Sequence, residues 1–175
     1  MIFTGRLKGF GEMKADAAEI EQVLKSLADT PHRLKSLSKG LSKTQLHRRS
    51  NEEPWSSNDI LAHLRACAEV WGQSILAMIS QDHPTLRYIS PRTWMRKTNY
   101  PEQDFHTSLE AFTRQRNELL QTLNALNTKD WSRGATFTAT TKGREQTVLR
   151  YAQKIVDHEN AHCIQVEALL KEFRV

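Results

Sequence analysis

The chain has 175 residues, enough for one well-packed domain, and no composition break divides it. Its 25 basic and 20 acidic residues leave a net charge of +5, a mild excess spread through every segment, which argues against a dedicated nucleic-acid surface. No apolar run approaches the ~20 residues needed to cross a bilayer, and two cysteines do not make a disulfide framework, so a cytoplasmic protein without a membrane partner is expected.

Residues 1–12 carry Arg6 and Lys8 but no apolar core of signal-peptide length, and read as an N-terminal extension. Residues 13–175 then form a single helical domain. A first helix is predicted from about Ala15 to Ser38, with Ile20, Val23, Leu24, Leu27, Leu34 and Leu37 inward and a kink or break at Thr30-Pro31. Gly40 to Pro54 is a connection with a short turn at Ser42 to Leu46. A second helix runs from Ser57 to about Ser80 behind a capping-box pattern, Ser56 and Asp59. Ile60, Leu64, Cys67, Trp71, Ile75 and Met78 recur along it at three- and four-residue steps, a buried stripe.

Gln81 to Glu102 is a long connection holding three of the five prolines. Between Pro84 and Pro101 it carries Arg87, Arg92, Arg96 and Lys97 without an acid, interleaved with Tyr88, Trp94 and Tyr100. It reads first as a solvated loop anchored by its aromatics, with a ligand-facing lid as the alternative. A third helix follows from about Asp104 to Asn127, with Phe105, Leu109, Phe112, Leu119, Leu120, Leu123 and Leu126 inward. Thr128 to Gln146, rich in Thr and Gly, is a small hairpin or irregular loop. A fourth helix runs from Thr147 to about Phe173. The fold class is therefore all-α: a four-helix bundle with a long crossover connection between helices 2 and 3.

The fourth helix contains His158-Glu159-Asn160-Ala161-His162, an H-E-x-x-H pentad. Histidines four apart share a helix face and can meet one metal ion. A peptidase of the extended pentad type needs Gly at 165 and His at 168, where this chain has Gln165 and Ala168, and little chain remains to supply another ligand. The third ligand is better sought upstream, at His63 on the edge of the second-helix stripe. His63, His158 and His162 then make a three-histidine site with an open position, and Glu159 is its candidate catalytic base. Zinc or nickel suits such a set, with copper and iron also compatible. His32, His47, His83 and His106 lie in polar contexts and read as surface residues. Cys67 follows His63 by one turn and is close enough to join the metal, yet core packing is the commoner role of a buried cysteine, as for Cys163.

Several segments together resemble the DinB/YfiT-like metalloprotein superfamily: Trp55-Ser56, Ile60-Leu61-Ala62-His63-Leu64, Trp131-Ser132-Arg133 with Gly143 and Thr147-Val148, and His158-Glu159-x-x-His162-x-x-Gln165. The resemblance covers roughly Asp16 to Leu170. It implies a four-helix bundle with a long crossover, a homodimer, and a divalent metal on His63, His158 and His162. It also implies kinship with thiol S-transferases that use low-molecular-weight thiols. Ala66 stands where relatives often carry an acid, and Glu159 where they often carry Asp. The expected partners are a small-molecule thiol and an electrophilic substrate. The alternative is a non-catalytic, metal-braced bundle acting as a binding or stress-response protein; a metal-dependent hydrolase ranks behind both.

Overall fold

A computed structural model describes residues 15–139 and 144–173. Four long helices, α1 (Ala17–Ser38), α3 (Ser57–Ser80), α5 (Phe105–Asn124) and α6 (Val148–Glu172), carry the architecture. Two one-turn helices, α2 (Lys43–His47) and α4 (Pro91–Met95), lie in the connections, with three short strands, β1 (Thr85–Arg87), β2 (Gly134–Thr138) and β3 (Arg144–Thr147). The N-terminal extension read in residues 1–12 and the motif residue Gly143 lie outside the described residues.

Each long helix starts where a side chain takes up orphan backbone N–H groups. Asp16 accepts from Ala18, Asp104 from His106 and Thr107, and Thr147 from Arg150. Ser56 and Asp59 form both halves of a capping box. The expected break at Pro31 does not occur. The helix α1 runs through it, because Pro31 is buried with Leu27 and Leu34 beside it; packing outweighs the one backbone bond that proline forfeits.

Two apolar clusters fix the direction of the helices. Leu34, Ile60, Leu61, Phe105, Phe112, Val166 and Leu169 share one, and Val23, Leu27, Trp71, Ile75, Leu123, Val148 and Ile155 share the other. The starts of α3 and α5 therefore meet the ends of α1 and α6. Arg65 donates to Ser108 at 3.2 Å across the two starts, so α3 and α5 run parallel, antiparallel to α1 and α6. A parallel pair needs a connection as long as the bundle, which is the crossover from Gln81 to Asp104. Glu69 on α3 pins it, accepting from Trp94 Nε1 at 2.9 Å and Tyr100 Oη at 2.7 Å. At its start β1 pairs parallel with β2, which pairs antiparallel with β3, the hairpin foreseen before the last helix. Gly134 is needed there, since a Cβ would stand 2.5 Å from the Gln146 carbonyl oxygen. No described helix is long and apolar enough to cross a membrane.

Arg116 of α5 and Glu159 of α6 form an ion pair inside the bundle, at 1% and 0% exposure. Burial pushes the Glu159 carboxyl up, while Arg116 and the Thr30 hydroxyl pull it down. The Thr30 hydroxyl itself donates to the Ser26 carbonyl at 3.3 Å. Truncating one member of such a pair strands the other charge. Arg116→Ala is expected to cost about 3–5 kcal/mol in urea unfolding, and the double variant Arg116→Met/Glu159→Leu less than that. Equal losses in the two variants would refute this account of the pair.

Candidate metal centre

His63 is on the second turn of α3, and its ring is 4% exposed. His158 and His162 lie in the middle of α6, half-buried. Because α3 and α6 are antiparallel neighbours, the three rings converge. Their centroids are 5.1 Å (His63–His158), 5.1 Å (His63–His162) and 4.5 Å (His158–His162) apart. Nε2 of His63 faces Nε2 of His158 at 3.3 Å. Two imidazoles bound to one tetrahedral zinc at about 2.0–2.1 Å would hold their nitrogens about 3.3–3.4 Å apart, so the spacing is that of a ligand pair. His162 donates from Nδ1 to Gln165 Oε1 at 2.7 Å, which fixes its tautomer and leaves Nε2 as the free lone pair. The donor atoms of His63, Cys67 and His158 all lie within 4.8 Å of one another.

All three imidazoles are held neutral, the form that binds metal. Burial lowers His63 to about 3, with His162, His158 and Arg92 adding repulsion. Burial lowers His158 to about 4, aided by His162, Lys154 and Arg92. Burial also lowers His162, against the pull of Gln165. Trp55 lies over the site, 5.0 Å from His63 and stacked on His162 at 6.2 Å, and Trp71 meets His158 edge-on at 4.8 Å.

Two cations flank the cluster. Arg92 of α4 sits over Trp55 at 4.9 Å. The Lys154 ammonium lies 4.6, 5.6 and 5.0 Å from the rings of Trp71, Tyr88 and Tyr151, and desolvation lowers its pKa. Neither forms an ion pair among the described residues. Tyr88 and Arg92 belong to the crossover, which is thus both anchored by Trp94 and Tyr100 and adjacent to the site.

Glu159, the expected base, has its side chain in the bundle interior on Arg116, and the convergent donor cluster is His63, Cys67 and His158, with neither the Glu159 carboxylate nor the expected ligand His162 within it. The deepest line of α6 runs Val148, Ile155, Glu159, Cys163, Val166 and Leu170, with His158 and His162 to one side. Arg116 was missed, although the gap between Phe112 and Leu119 in the third-helix stripe marks it. Ala66 is fully buried. His32, His83 and His106 are exposed as expected; His47 is half-buried.

The depressed histidines set the pH dependence of the metal-free protein. In the unfolded chain each takes a proton near pH 6.5, whereas folded His63 and His158 do so only near 3 and 4. Stability is therefore complete above pH 6.5 and falls as pH drops toward 4, by about 1.4 kcal/mol per pH unit for His63 across that window. Thermal melting of apo protein between pH 7.5 and 4.5 is expected to show this slope, reduced in His63→Asn. A profile identical in the two proteins would rule it out.

Comparisons with known proteins bear on the same residues. Four solved chains match significantly. One of them is YfiT from Bacillus subtilis, described as a probable metal-dependent hydrolase with an unusual four-helix bundle topology. It aligns at a TM-score of 0.80 and 16% identity, over 97% of this chain and 95% of that one, a likeness of fold. No curated protein matches significantly. The family model of the DinB superfamily matches residues 26–166, a span that includes His63, His158 and His162, and the chain belongs to that superfamily.

Proposed function

We propose that this protein is a metal-dependent enzyme that holds one divalent ion on His63, His158 and His162 and transfers a small-molecule thiol to an electrophilic carbon. The observation that carries this reading is the approach of two neutral imidazole nitrogens, one buried and one half-buried, to 3.3 Å from neighbouring helices. The donor set fits a borderline ion such as zinc or nickel. When bound, the ion supplies Lewis acidity, which lowers the pKa of a thiol or water beside it.

The chain's own residues supply the rest. Gln165 keeps the His162 lone pair directed at the site. Trp55 and Trp71 limit water around the rings. Arg92 and Lys154 favour an anion, both the thiolate and any carboxylate or phosphate the thiol carries. The thiol proton passes to solvent, since the Glu159 carboxylate is already engaged by Arg116. The thiolate sulfur then bonds to the electrophilic carbon as the leaving group departs with its electron pair.

Hydrolysis is the second reading, prompted by the description of YfiT. Against it, the Glu159 carboxylate that would serve as a base for water is engaged by Arg116. The homodimer belongs to the same proposal; Leu76, Ile89 and Ile164 are large apolar side chains left exposed on one copy.

Protein purified without an affinity tag is expected to carry about one zinc or nickel ion per chain, lost in both His63→Ala and His158→Ala. Metal retained in both variants would sink the site. The loaded protein should consume low-molecular-weight thiols in the presence of alkyl or aryl halides faster than it hydrolyses esters or amides. The reverse order would favour the hydrolase. Loaded protein inert in both assays would leave the ion as a brace between α3 and α6.

A further inference from the structure

Cys67 lies on α3 one turn beyond His63, is 1% exposed, and plays no part in the reaction above. Its Sγ is 3.5 Å from Nε2 of His63 and 3.9 Å from Nδ1. It is thus nearer the nitrogen that faces His158 than the one that faces away. A sulfur and a nitrogen on one tetrahedral zinc, at about 2.3 and 2.0–2.1 Å, stand about 3.5–3.6 Å apart. Both edges that share His63 Nε2, to His158 and to Cys67, therefore have tetrahedral length.

We propose that Cys67 is itself a ligand of the ion, so that His63, His158 and Cys67 form a mixed nitrogen–sulfur face with His162 beside it. The proposal rests on the metal centre inferred above and changes its chemistry. Both cysteines pack in apolar clusters, Cys67 with Trp71 and Ile75 and Cys163 with Leu34 and Val166, but the Cys67 sulfur also stands against the shared His63 nitrogen, which packing alone does not require. In the metal-free protein burial keeps the Cys67 thiol protonated. Ligation converts Cys–SH to thiolate, the proton going to solvent and the S–H electron pair to the metal bond. Lys154 and Arg92 favour that thiolate, whereas Glu159 opposes it. The occupant is then a borderline-soft ion such as zinc, cobalt or nickel. Magnesium and calcium, which take oxygen ligands, are excluded.

Cobalt(II), which reports a thiolate ligand by near-ultraviolet charge-transfer absorption, is the probe. Wild-type protein and Cys163→Ala should bind one cobalt per chain and show that band. Cys67→Ser and Cys67→Ala should lack it, and their zinc affinity should fall by more than the ~10–100-fold that loss of a supporting residue costs. One bound cobalt without the band in the wild type, or a band that survives in Cys67→Ser, overturns the proposal and leaves a three-histidine centre standing. Failure of the wild type to bind cobalt overturns both. The wild-type spectrum decides even if a variant fails to fold.

Discussion

The rotation of α6 about its own axis governs what the site can be, and one buried ion pair sets it. Glu159 faces straight into the bundle toward Arg116. On a helix of 3.6 residues per turn, His158 lies about 100° to one side of that line and His162 about 60° to the same side. Both imidazoles are thereby aimed at α3, where His63 stands. A few tens of degrees of roll would expose them or bury them in the apolar clusters. A charge pair with only one low-energy arrangement resists such roll better than interchangeable aliphatic contacts do, because rolling would leave a carboxylate and a guanidinium unpaired in a dry interior.

The electrostatics of the centre follow from the same packing. Three imidazoles are gathered where burial and neighbouring charge keep them neutral, with Lys154 and Arg92 adding positive charge and Glu53 opposing it at His162. An arrangement of this kind is unfavourable for protons and favourable for a divalent ion that brings or attracts anions. Lys154 is exposed at the edge of the site, where its ammonium gains attraction from three aromatic faces. The crossover contributes to the site through Tyr88 and Arg92 while Glu69 holds it down through Trp94 and Tyr100. A segment that must run the length of the bundle to join two parallel helices thus also forms one wall of the site.

Much of this was legible in the sequence because it is local. Caps such as Ser56 with Asp59, and stripes such as Ile60 to Met78, are written within a few turns of chain, and they located all four helices and the crossover. The three histidines were legible for the same reason, as two helical faces whose pattern polar residues interrupt. What was not legible depends on distant partners. The parallel pairing of β1 with β2 joins residues about fifty positions apart. Pro31 reads as a kink or break from its own segment, where its neighbours on other helices are invisible, yet α1 continues through it. Glu159 was placed at the metal by motif, when a partner 43 residues away decides its direction.

The pentad shows how context reassigns a motif. In a peptidase, the glutamate after the first histidine must face the metal-bound side of the helix to work as a base. Here the helix is one of four with a closed interior, and the position next to the first histidine is its innermost. The carboxylate is therefore used against an arginine, and the histidines look for further ligands on the neighbouring helix rather than downstream. That helix is antiparallel and offers its own i, i+4 pair, His63 and Cys67, at matching height. These pairs bring the donor atoms of His63, Cys67 and His158 within 4.8 Å of one another, with the His162 ring beside them. The geometry thus supports a metal centre while removing the base that peptide hydrolysis would require.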